Sequence, residues 1–127
     1  MTQTSSLPPI QNRILWGVRI FLALAFAAAG IAKLAGAPQM VQVFDAVGLG
    51  QWFRYLTGAI EVAGAVLLLI PVTSFFAGLL LTATMTGAVV THLFVIGGNP
   101  APALVLLSMS AFVAWRQKPA ALLGAAR

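Results

Sequence analysis

The stretch ILWGVRIFLALAFAAAGIAKL, Ile14–Leu34, decides the fold. Its 21 residues carry only Arg19 and Lys33 as charges, and about 20 apolar residues are enough to carry a helix across a bilayer. Arg13 before the run and Ala27-Ala28-Ala29 within it imitate a secretory leader, but a leader's apolar region is only about 7–15 residues long. The run is therefore read as a retained first span. The rest of the chain has the same character: of 127 residues, 61% are hydrophobic and 7% charged, and the mean hydropathy is +1.00. A soluble domain carries about 25% charged residues. A soluble enzyme, a nucleic-acid binder and a disordered chain are excluded. The net charge of +5 and the pI near 11.5 do not signal nucleic acid, because the cations flank apolar runs and read as topology signals.

Three further apolar runs follow, Leu56–Val72, Phe75–Val95 and Pro102–Trp115. The connection at Pro71 is tight enough to make its two runs antiparallel neighbours, and Gly97-Gly98-Asn99-Pro100 is a turn cluster with Asn99 as a turn residue. The expected fold is all-α, an integral membrane four-helix bundle over residues 13–118, with residues 1–12 and 119–127 as cytoplasmic tails. In the one long connector, Ala35–Phe53, the residues Met40, Val43, Phe44 and Val47 keep helical spacing. Pro38 suits the first position of that helix and Gly48 its stop. A short amphipathic helix lying on the membrane surface is expected between spans 1 and 2, with a loop that caps the bundle as the alternative.

Basic residues orient the bundle. Arg13, Arg19, Arg116, Lys118 and Arg127 fall on one side and Lys33 and Arg54 on the other, which puts both termini in the cytoplasm of a cytoplasmic (inner) membrane. Trp16 and Trp115 then mark the inner interface, Trp52 and Tyr55 the outer one. Arg19, a turn inside the edge, is expected to snorkel to the interface.

The same topology brings Lys33, Glu61 and His92 to similar depths in the outer leaflet, each on a different helix. Glu61 shares a stripe with Thr57, Gly58 and Gly64, and Lys33 with Gly30, and small residues let helices approach closely in lipid. Lys33, Glu61 and His92 form a candidate proton-relay or ligand-binding cluster, with Gly30, Thr57, Gly58 and Gly64 as its supporting face. Ionisable groups inside a membrane are functional candidates. Plainer readings stand beside this one: a Lys33–Glu61 pair that only sets helix register, a His92 bonded to a backbone carbonyl or to Thr57, and a snorkelling Lys33. No catalytic residue and no metal site is assigned. The absence of cysteine removes thiol, iron–sulfur and thiolate-zinc chemistry, and a single histidine excludes bis-histidine haem ligation within one chain.

The segments RILWGVRIFLALAFAAAGIAKL, VFDAVGL, TGAIEVAGAVLLLIP and MTGAVVTHL resemble the DoxX-like family of small four-helix membrane proteins. The Ala-Gly-x-x-Lys-Leu, Thr-Gly-x-x-Glu-x-x-Gly-Ala and Ala-x-x-x-His elements stand in that family's order. They correspond to Gly30, Lys33 and Leu34, then to Thr57, Gly58, Glu61 and Gly64, and last to His92. Some members are associated with membrane oxidoreductase systems that pass electrons to quinone, including a thiosulfate:quinone oxidoreductase. The resemblance implies a subunit or accessory component of such a system, with no tightly bound cofactor, quinone as a loosely held ligand, a redox partner subunit, and the lipid bilayer as its surroundings. A homo-oligomer stays open, nucleic acid does not. Two alternatives remain: a small proton-coupled transporter, and a non-catalytic membrane assembly or interaction protein.

Overall fold

Pro9 opens the first helix, α1 (Pro9–Ala35), where a proline lacking its N–H fits without loss. The computed structural model describes residues 9–119; the rest of both expected tails lies outside the described residues. Pro9–Asn12, expected in the amino-terminal tail, belong to α1. α1 ends in a left-handed Gly36 (φ 74°), with Gly36 N–H on the Lys33 carbonyl at 3.2 Å and Ala37 N–H on that of Ala32 at 3.0 Å. This paired closure reverses the chain within two residues. Helix α2 (Pro38–Val47) starts at once and stops at Gly48 (φ 86°), whose N–H reaches the Phe44 carbonyl at 3.3 Å. Helices α3 (Gln51–Leu68), α4 (Ser74–Thr91) and α5 (Ala101–Arg116) follow, and α4 runs on through a π-helical turn, His92–Ile96. No strand occurs among the described residues.

Helix α1 packs on α3, α3 on α4, α4 on α5, and α1 touches α5, so the four long helices close a ring. Leu22, Phe26, Leu68, Leu81 and Val113 are completely buried at its centre. The close approaches use glycine: a Cβ on Gly64 would lie 2.8 Å from the Leu81 side chain, and one on Gly78 2.8 Å from the Ala114 nitrogen. The ring's outside is apolar as well, with Phe21, Leu24, Phe76, Phe94 and Trp115 exposed.

Two helices are long and apolar enough to cross a membrane, Pro9–Ala35 and Ser74–Ile96. Only 11% of the second one's apolar window is buried within the protein, unlike the core helix of a soluble domain. Its outward residues need an apolar solvent, which is lipid. The protein is an all-α membrane protein with five helices among the described residues, the short α2 included, and two of these helices are of span length. Arg54 and Glu61 lower the hydropathy of α3, and α5 has 16 residues, about 24 Å of helix against a hydrocarbon core of about 30 Å.

Candidate functional site

The site begins with two glycines. A Cβ on Gly30 would lie 2.7 Å from the Gly58 carbonyl oxygen, and one on Gly58 2.9 Å from that of Gly30. Neither position has room for a side chain, so α1 and α3 touch backbone to backbone there. Lys33 and Glu61 stand one turn from these glycines, to either side of the antiparallel contact, and the missing side chains let them reach across it: Lys33 Nζ lies 2.9 Å from Glu61 Oε1. The Glu61 side chain is 2% exposed and that of Lys33 13%. The alternative reading, a Lys33 that snorkels without an internal partner, is not what the structure shows.

Arg54 braces this end of the pair. It is buried, its Nη1 donates to the Lys33 carbonyl, and its Nε donates to Gln51 Oε1 at 2.6 Å. The guanidinium lies over the Tyr55 ring at 4.3 Å. Arg54 thus holds the last turn of α1, where the helix's free carbonyls attract a cation. Sequence reasoning counted it only as an outer-side charge. The signal was present, since Arg54, Gly58, Glu61 and Ala65 occupy one helical stripe and all are buried.

His92 enters from the opposite wall. It opens the π-helical turn, and its Nδ1 pairs with the Ala88 carbonyl at 2.9 Å. A carbonyl only accepts, so the proton sits on Nδ1, and Nε2 of the neutral ring is left as an acceptor. The pairing with a backbone carbonyl was among the plainer expectations, whereas Thr57 turns away and donates to the Phe53 carbonyl at 2.8 Å. The π turn had no sequence signal; such turns recur at functional sites because they re-aim side chains. Asn99 is the turn residue expected, its Oδ1 accepting the Ala101 N–H at 3.0 Å.

Lys33, Glu61 and His92 all line one cavity of about 500 Å³, together with Thr57, Thr84 and Thr91. Its other walls are apolar and include Phe53, Ile60, Met85 and Leu106. Helix α2 covers it with Met40, Val43, Phe44 and Val47, the same four residues whose spacing marked the amphipathic face. Phe44 is buried and its ring lies 5.9 Å from that of Phe53. The segment is the expected helix rather than the alternative loop, and it lies over the cavity. The cavity has the size and the largely apolar lining of a small-molecule site, with a few polar groups gathered on one side.

Arg19 departs most from expectation. It does not snorkel: it is 1% exposed, donates from Nε to the Leu68 carbonyl at 2.7 Å and lies 3.8 Å from the centre of the Trp16 ring. A cation inside an apolar run, with no acid in its half of the helix, was the available signal.

Fold and cavity define an all-α membrane protein with a polar cluster set into an apolar chamber. The DoxX-like family matches residues 17–115, and the chain belongs to that family. A 74-residue stretch is 30% identical to the Bacillus subtilis (strain 168) protein named "Putative oxidoreductase CatD". The match covers 58% of this chain and 55% of that protein, so the chain spans little more than half of its relative's length. No solved structure matches the chain.

Proposed function

We propose that this protein is a membrane-embedded component of a quinone-linked oxidoreductase system, and that the cavity lined by Lys33, Glu61 and His92 receives the quinone headgroup. One observation carries the reading: a buried ion pair, Lys33 Nζ 2.9 Å from Glu61 Oε1, opens on an apolar chamber of about 500 Å³. A quinone headgroup is a flat apolar ring with two hydrogen-bond-accepting carbonyls, and the wall composition suits it. Membership of the DoxX-like family and the partial likeness to a protein named as an oxidoreductase support the same direction.

Quinone reduction adds two electrons and two protons to give the quinol. The electrons would have to come from a partner subunit that carries a redox centre. Lys33 is the standing donor to a carbonyl oxygen. Glu61, its counter-ion, takes and returns protons as the charge on the ligand changes. His92 in its neutral form only accepts at Nε2, so it gives a proton to the reduced quinone only after taking one up as the imidazolium, and the two protons consumed would come from the aqueous side by way of Glu61 and His92. In this reading all four long helices cross a cytoplasmic (inner) membrane with both termini in the cytoplasm, and the covered cavity lies in the outer leaflet.

The test is direct binding. The protein is purified in mild detergent with its co-purifying subunits, and its quinone content is measured by mass spectrometry. A short-tailed quinone is then titrated against it by tryptophan fluorescence. Wild type is expected to bind saturably, His92→Phe and the Lys33→Met/Glu61→Leu double variant weakly. Glu61→Gln is expected to keep the fold and lose quinone-linked turnover. No saturable binding by wild type, or equal binding by the double variant, overturns the reading. Proton-driven efflux from proteoliposomes that depends on Glu61 would instead identify a transporter.

A further inference from the structure

A second pocket, of about 310 Å³, lies toward the other end of α1, and it shares no residue with the first. Fourteen positions, about 21 Å of helix, separate Arg19 from Lys33. Its walls come from α1, from the turn at Pro71 and Val72, and from Gln117 at the end of α5. Arg19 lines it. Among the described residues the guanidinium meets one carbonyl and one indole ring, and its Nη2 is buried without any hydrogen-bond partner.

A buried cation without an opposite charge costs several kcal/mol, and a carbonyl and an aromatic face offset only part of that. The chain cannot supply the missing charge from a side chain. It has two acidic residues: Glu61 is paired with Lys33, and Asp45, on α2, accepts from Gln51 at 2.8 Å. Among the other lining side chains are the amides of Asn12 and Gln117, which can donate to an oxyanion. Arg116 and Lys118 stand at the same end of the bundle and add positive potential.

We propose that this pocket is an anion site for a phosphate group, with Arg19 as its charged anchor and the Asn12 and Gln117 amides as additional donors. A planar guanidinium whose Nη2 has no hydrogen-bond partner among the described residues suits phosphate oxygens, and basic pockets at the cytoplasmic ends of membrane helices are where anionic lipid headgroups bind. The bound phosphate completes the charge balance of the α1–α3 contact at Leu68 and so couples the bundle's stability to its lipid.

The protein, purified in neutral detergent, is melted while doped with phosphatidylglycerol, with phosphatidylcholine, or with inorganic phosphate at constant ionic strength. Wild type is expected to gain a saturable rise in melting temperature from phosphatidylglycerol and none from phosphatidylcholine. Arg19→Gln is expected to bind phosphatidylglycerol about ten- to a hundredfold more weakly, the loss of one charge-assisted contact. Because Arg19 also holds the Leu68 carbonyl, that variant can fail to fold. Gln117→Glu keeps Arg19 and supplies an internal carboxylate, so it is expected to fold and to lose the lipid effect. A rise with inorganic phosphate as well, abolished by Gln117→Glu, assigns the site to free phosphate. No rise with either phosphate source, or an equal rise in wild type and Gln117→Glu, overturns the proposal.

Discussion

Removing Lys33 should harm this protein far more than removing Glu61, although the two are partners. At 2.9 Å, and with an effective dielectric constant near 20, their attraction is about 6 kcal/mol before desolvation is counted. The carboxylate is the more deeply placed partner, with 2% of its side chain exposed against 13% for the lysine, and it receives no other hydrogen bond among the described residues. Lys33→Met strands an uncompensated buried carboxylate and is expected to destabilise by about 3–5 kcal/mol. Glu61→Gln leaves Lys33 at the carboxyl end of α1, where the helix dipole favours a cation and the long stem can extend toward water. About 1–2 kcal/mol is the expected cost there. The Lys33→Met/Glu61→Leu double variant, with both charges gone and the volume kept, should return to within about 1 kcal/mol of wild type. Reversible unfolding in mixed micelles by titration with dodecyl sulfate measures all four proteins. If the double variant is as unstable as Lys33→Met, or if Glu61→Gln is the worst of the set, the reasoning from burial is refuted.

Gly30→Leu brings side-chain atoms into a gap where even a Cβ meets the Gly58 carbonyl oxygen at 2.7 Å. It should cost about 1–3 kcal/mol and abolish binding in the first cavity, read by melting and by quinone titration; an unchanged melting point contradicts the close crossing. Arg54→Met removes the side-chain donor that holds the Lys33 carbonyl and leaves that carbonyl to Gly36 alone. A loss of about 1–3 kcal/mol is expected, with hydrogen exchange speeding up at the end of α1 before it does elsewhere. Gly48→Ala forces an L side chain to φ 86°, at about 1–2 kcal/mol. It should loosen α2 over the cavity, seen as faster exchange in Phe44–Val47 with little change in α5.

Local chemistry made much of this protein legible before any tertiary contact was known. The composition dictates helices in lipid. Pro38, the spacing of Met40, Val43, Phe44 and Val47, and Gly48 specify α2 nearly to the residue, because a proline start and a left-handed glycine stop are local events. The three ionisable candidates were also visible, since a charge inside an apolar run stands out. Helix ends were less so: α3 begins at Gln51, five residues before its apolar run, because Arg54 and Tyr55 are helical for tertiary reasons. What only the tertiary structure decided is which polar groups meet. Glu61 pairs with Lys33 because two glycines, 28 positions apart, leave no side chain between α1 and α3. Arg19 is buried rather than snorkelling, and Arg54 is buried as well, because carbonyls at Leu68 and Lys33 face them. Helical periodicity assigns a residue to a face, but only packing, which sums contacts far apart in the chain, determines what that face encounters.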